Sequence, residues 1–96
     1  MEALSTVFTK YAYRFEQVER QGDVAIFRQT HTANEAVQRY EVVVIRVQPA
    51  HTWPNGTTTP EREAYPGSTE WGRYGWTVTS LDQAKALMAE LLTRAA

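Results

Sequence analysis

Two histidines, His31 and His51, and the carboxylates Glu35, Glu61 and Glu63 are the residues that could be drawn into a metal site. Their spacings match no ligand pattern, and no pair stands four apart on a helix as metalloprotease ligands do. Both histidines therefore read as polar loop residues, and no metal is expected. Glu61 and Glu63 share one side of an extended segment, which is the arrangement of a carboxylate pair for acid and base work. Arg62 between them points the other way, and the flanking sequence offers no apolar pocket to raise a carboxyl pKa. They read as solvated charges or as ion-pair partners of Arg73. Ser5, Ser68 and Ser80 lack an elbow motif, and the five glycines form no phosphate-cradling loop. Neither enzyme activity nor a cofactor is expected.

The aromatic residues carry more information. Trp53, Tyr65, Trp71, Tyr74 and Trp76 crowd into one quarter of the chain, interleaved with Arg62 and Arg73. Such a group can close a small core beneath a long loop, anchor a protein interface through Trp and Arg, or stack on bases. The candidate binding surface is Trp53, Arg62, Tyr65, Trp71, Arg73 and Tyr74.

These residues must be positioned by a single domain. Ninety-six residues make one modest core, hiding roughly 65% of the surface of the unfolded chain. Ten Lys plus Arg against eleven Asp plus Glu leave a formal charge of −1, which argues against bulk attraction to phosphates. The absence of Cys removes disulfide and thiolate chemistry and fits a reducing compartment. Residues 1–10 include an acidic Glu2 and no apolar run of signal-peptide length, and no segment approaches a membrane span. A cytoplasmic protein without membrane contact is the expectation.

The chain is organised around Tyr40 to Val47. Val42 to Ile45 are β-branched in succession, with Tyr40, Val42 and Val44 on one face of a strand and Val43, Ile45 and Val47 on the other. A strand apolar on both faces belongs inside a sheet. Before it, residues 1–10 read as a flexible tail. Tyr11, Tyr13 and Phe15 alternate with charged residues as a half-buried strand, and Gln21-Gly22-Asp23 turns the chain into a second strand, Val24 to Thr30.

Gln48 to Ser68 holds all four prolines and the turn signal Pro54-Asn55-Gly56, and reads as a long Pro-rich loop. Asn55-Gly56-Thr57 is formally a glycosylation sequon that turn chemistry already explains. A loop of that length is usually functional or structured in itself. Trp76 to Thr79 forms a last strand. Ser80 then caps a helix, with Gln83 completing a capping box, and Leu81, Ala84, Leu87, Met88, Leu91, Leu92 and Ala95 make one apolar stripe. The expected fold is α+β: about four antiparallel strands, three in a meander, with the C-terminal helix on one face. The other face needs a cover, either the loop folded back with Trp53 as anchor or a second copy of the chain, with the monomer slightly favoured.

Trp71-Gly72-Arg73-Tyr74-Gly75 resembles the signature of the WGR domain of poly-ADP-ribose polymerases and bacterial regulators. That resemblance implies DNA or domain contacts for Trp71 and Arg73, although Thr77-Val78-Thr79 runs straight into Ser80 where that family has further strands. A broader pattern, Gly22-Asp23-Val24-Ala25-Ile26-Phe27, Tyr40-Glu41-Val42-Val43, Glu63-Ala64-Tyr65-Pro66, Glu70-Trp71-Gly72, Gly75-Trp76-Thr77 and Ala84, is similar to short uncharacterised proteins of bacteria and their phages. It implies a stand-alone accessory protein. The functional expectation is a non-enzymatic binding module or inhibitor acting on a macromolecular partner, a protein before a nucleic acid, in the manner of a phage-borne counter-defence (anti-CRISPR-like) protein, with WGR-like nucleic-acid binding as the alternative.

Overall fold

A computed structural model describes residues 1–95, the side chain of Ala95 excepted. Five strands form one antiparallel sheet in the order β1 (Val7–Lys10), β2 (Tyr13–Gln21), β3 (Val24–His31), β4 (Asn34–Val44) and β9 (Gly75–Val78). Between β4 and β9 the chain makes two small antiparallel ribbons, β5 (Arg46–Gln48) with β8 (Arg62–Ala64) and β6 (His51–Thr52) with β7 (Thr58–Thr59). A short 3-10 turn, Ser68–Glu70, precedes β9, and the α-helix α1 (Leu81–Ala95) ends the described chain and packs across the sheet. Among the described residues no helix is long and apolar enough to cross a membrane.

The hairpins follow local chemistry. Gly22 takes φ +60° in a two-residue turn that joins Gln21 to its partner Val24, as the Gly-Asp pair predicts. At the head of α1 the Gln83 N–H donates to Ser80 Oγ at 3.2 Å. The Gln83 side chain accepts from the N–H and hydroxyl of Thr79, one residue earlier than the expected capping box would have it.

Strand periodicity then divides β3 and β4 between two cores. Val24, Ile26 and Val42 are buried beneath Ala84, Met88 and Leu91 of the helix, with Tyr40, Val44, Trp76, Val78, Leu81, Leu87 and Leu92 around them. The expected stripe is thus in place as far as Leu92, while the Ala95 side chain lies outside the described residues. On the opposite face Phe15, Ala25, Phe27, Val43 and Ile45 are buried against Leu4, Phe8, Tyr13 and Tyr65.

Four sequence expectations are corrected. Residues 1–10 are not a loose tail: Phe8 pairs with Phe15 in β1, and Glu2 forms a bridge with Arg62, its N–H donating to the Glu61 carbonyl and its own carbonyl accepting from the Glu63 N–H. The burial of Leu4 and Phe8 against the second face offsets the entropy of ordering the segment. Tyr11 does not begin a strand. It occupies the β1–β2 turn at φ +57° and is 90% exposed, because the two-residue connection from Lys10 to Tyr13 requires a left-handed residue there.

The central strand stops at Val44. The Ile45 N–H donates to Asp23, and Val47 emerges in β5 half exposed rather than in the core. Finally, the segment expected as a Pro-rich loop is a two-stranded arm over residues 46–64, which draws the radius of gyration to 14.7 Å where a compact chain of this length would have about 12.5 Å.

Candidate functional site

Across the second face the strands bring together residues far apart in sequence. Glu41 of β4 shares a face with Val43 and is 8% exposed. The Tyr65 hydroxyl donates to its Oε1 at 2.5 Å, and Thr77 Oγ1 of β9 stands 3.4 Å from its Oε2. The Trp71 indole N–H in turn donates to Thr77 Oγ1 at 3.1 Å. Burial pushes the Glu41 carboxyl up from its ordinary pKa, against the opposing pull of the Tyr65 and Thr77 hydrogen bonds. Burial and the neighbouring Glu41 charge raise the Tyr65 phenol as well. Phe8, Lys10, Tyr11, Phe15, Pro66, Ser68 and Trp71 complete an open depression of about 390 Å³ above this pair.

The rings are held, not merely near. Tyr65 meets Phe8 edge-on at 5.3 Å between centroids, and Trp71 lies 6.4 Å from Tyr65. Trp71 lies directly over Gly75, where an added Cβ would come within 2.5 Å of the indole. Gly72 at φ +89° makes the turn that returns Trp71 onto Gly75, its N–H donating to the Gly75 carbonyl. The Trp-Gly-Arg-Tyr-Gly sequence therefore works locally as a turn that seats one indole.

One ion pair ties the arm to this face. Val18 is bulged out of the β2–β3 register between Gln17 and Glu19, so that Arg20, rather than Glu19, falls on the same face as Phe15 and Ala25. Its guanidinium donates to both carboxylate oxygens of Glu63, at 2.9 and 2.7 Å, and the Leu4 N–H donates to the same carboxylate. Those bonds, the Arg20 one foremost, hold the Glu63 carboxyl down at about 2. Glu63 thus pairs with Arg20 and not with Arg73, because the bulge and not the sequence spacing decides which cation faces it.

The six candidate binding residues do not form one surface. Tyr65 and Trp71 line the depression. Arg73 and Tyr74 lie beyond the Gly72 turn with Arg46, whose guanidinium stands 3.9 Å from the Tyr74 ring centre and pairs with Glu70; Arg73 is 5.2 Å from the same ring. Trp53 and Arg62 are on the arm. Trp53 does not anchor the loop to the body: it is 50% exposed, its indole N–H donates to Thr59 at 2.9 Å, and His51 packs edge-on against it at 4.4 Å. Arg62 reaches Gln48 across the β5–β8 ribbon.

Missed in the sequence were Glu41, Phe8, Lys10, Tyr11 and Arg46. Only Glu41 carried a signal, as a lone charge entering a run of β-branched residues. His31 packs edge-on against Tyr13, and among the described residues no group of three or more His, Cys, Asp or Glu could hold a metal. Comparison of this chain with models of known protein families, with curated proteins and with solved structures returns no match.

Proposed function

We propose that the protein is a non-enzymatic binding module that grips a protein partner through its arm. The observation that carries this reading is a ribbon spanning residues 46–64 that buries little of itself and holds Trp53 half exposed near its tip. A two-stranded ribbon is at best marginally stable in water alone, yet this one is braced at the base by Arg20, Glu2 and Leu4 and at the tip by its own polar bonds. Asn55 Oδ1 accepts from both the N–H and the hydroxyl of Thr57, and the Gly56 N–H donates to the Trp53 carbonyl. A pre-ordered loop with an exposed Trp loses little entropy on docking, and Trp is the residue most enriched among interface anchors.

Such an arm suits an inhibitor that occupies a site on a larger assembly, the role of a phage-borne counter-defence protein. The cover that Leu4, Phe8 and Tyr65 give the second face supports a monomer. Affinity capture with the parent chain and with Trp53→Ala, after nuclease treatment and at low and moderate salt, tests the reading. Partners retained at moderate salt by the parent and lost by Trp53→Ala support it. Capture that disappears with nuclease or falls steeply with salt would instead assign nucleic-acid binding of the WGR kind, with Trp71, Arg73 and Arg46 as its basis.

A further inference from the structure

We propose that the depression over Glu41 is a site for an alkylammonium group on an aliphatic stem, supplied by a lysine side chain of a partner polypeptide. Glu41 is the counter-charge; Phe8, Tyr65 and Trp71 are the walls. From the arm reading it takes only that the partner is a polypeptide, and its probes need no contact with the arm.

Glu41 is a buried carboxylate with no cation in direct contact. Among the described residues no Lys, Arg or His comes within ion-pair distance of Glu41; its hydrogen-bond partners are two neutral hydroxyls, and the Arg39 and Lys10 charges pull its carboxyl down only from farther off. A carboxylate offers about four lone-pair sites. Tyr65 takes one on Oε1, and the Thr77 contact at 3.4 Å leaves Oε2 weakly engaged. Burying a charge with so little compensation is costly, and the raised carboxyl pKa is the same fact seen as a proton equilibrium. An ammonium group donates up to three hydrogen bonds and supplies the missing charge.

The surroundings suit that cation. Aromatic faces attract ammonium groups, most strongly Trp, and here Phe8 and Trp71 flank Tyr65 with centroids 5.3 and 6.4 Å away. Trp71 is fixed in advance by its bond to Thr77 and its seat on Gly75, so the wall needs no rearrangement. Phe15 and Pro66 offer apolar surface to a methylene stem, and about 390 Å³ is room for one extended side chain. Lys10 stands at the rim with its ammonium 5.7 Å from the Tyr11 ring centre; it is outside ion-pair distance of Glu41, although its charge reaches that carboxyl. It is a like charge that an incoming lysine must pass.

The test is a nuclear magnetic resonance titration of the full chain with Nα-acetyl-L-lysine methylamide, following the Trp71 indole N–H and the Tyr65 and Phe8 ring signals. Saturable shifts at those three residues are expected. The Nε-acetylated probe, with the same stem and no charge, should bind at least about tenfold more weakly. Glu41→Gln keeps an acceptor for the Tyr65 hydroxyl and should lower affinity for the charged probe by a similar factor, with a melting curve to check folding. Should that variant not fold, Trp71→Leu, at a position 36% exposed, should weaken the probe several-fold. Lys10→Ala should tighten it, and Trp53→Ala should leave it unchanged whatever becomes of the arm. Equal binding of the two lysine probes, tighter binding of Nα-acetyl-L-glutamate methylamide, or full affinity in Glu41→Gln or Trp71→Leu would overturn the assignment.

Discussion

Val42 and Val43 are neighbours in β4, both fully buried, and they face different kinds of core. Val42 looks into an aliphatic layer closed by one element, the helix, whose Ala84, Met88 and Leu91 arrive at a regular period. Val43 looks into an aromatic layer closed by pieces: Leu4 and Phe8 from the N-terminus, and Tyr65 from the end of the arm. The helix face is built by local periodicity and contains no charge among its core residues. The opposite face depends on contacts between remote segments, and it is where a carboxylate, a left-handed tyrosine and an open depression occur together. A cover made in pieces leaves gaps between them, and a gap lined by a charge is where a ligand can bind.

The largest expected effect breaks the helix face. Leu91→Asp places a charge at a site 7% exposed under the sheet and should cost about 4 kcal/mol or more, enough to abolish a cooperative thermal transition. A parent-like melting curve would mean that the helix does not close that core. Phe8→Ala removes one ring from a cover that has others and should cost less, about 2 kcal/mol by denaturant unfolding. Its mark is local: amide exchange should speed up along residues 2–10 and at Tyr65 while the helix amides stay protected.

The bulge-directed ion pair gives a pH signature. Because the Glu63 carboxyl is held at about 2 in the folded chain, below its unfolded value, its contribution is complete above about pH 4.5 and is lost as the pH falls toward 2. Glu41 has the opposite sign, its raised carboxyl adding stability at acid pH that is lost as the pH rises through the folded value. Arg20→Ala should therefore be less stable than the parent at neutral pH, with the gap closing on acidification. A gap that stays constant down to acid pH would remove Glu63 as the partner. The smallest effect has the other direction: Tyr11→Gly relieves a left-handed tyrosine and should raise stability by about 1 kcal/mol, read as a higher melting temperature. An unchanged or lower value would show the tyrosine ring to be holding more than the turn.

What the sequence determined by itself is the part that short-range period and turn chemistry encode. The two-faced apolar run at Val42 to Ile45, the Gly22 turn and the stripe of α1 from Leu81 to Leu92 were all legible, because each is specified within a few residues of itself. The tertiary structure alone decided which aromatic residues close the second face. Tyr65 turns inward and Trp53 outward, although both are large aromatics in the same Pro-rich segment. The sequence of Met1 to Lys10 is too mixed to announce a strand, and it becomes one because β2 and the arm offer it unpaired backbone and an apolar floor. Likewise the bulge at Val18 moves Arg20 across the sheet to Glu63, reversing the side-chain parity that alternation had assigned. Pairing register and burial partners are properties of segments meeting over long sequence distances, and period-two patterning fixes which residues share a face without fixing what will cover it.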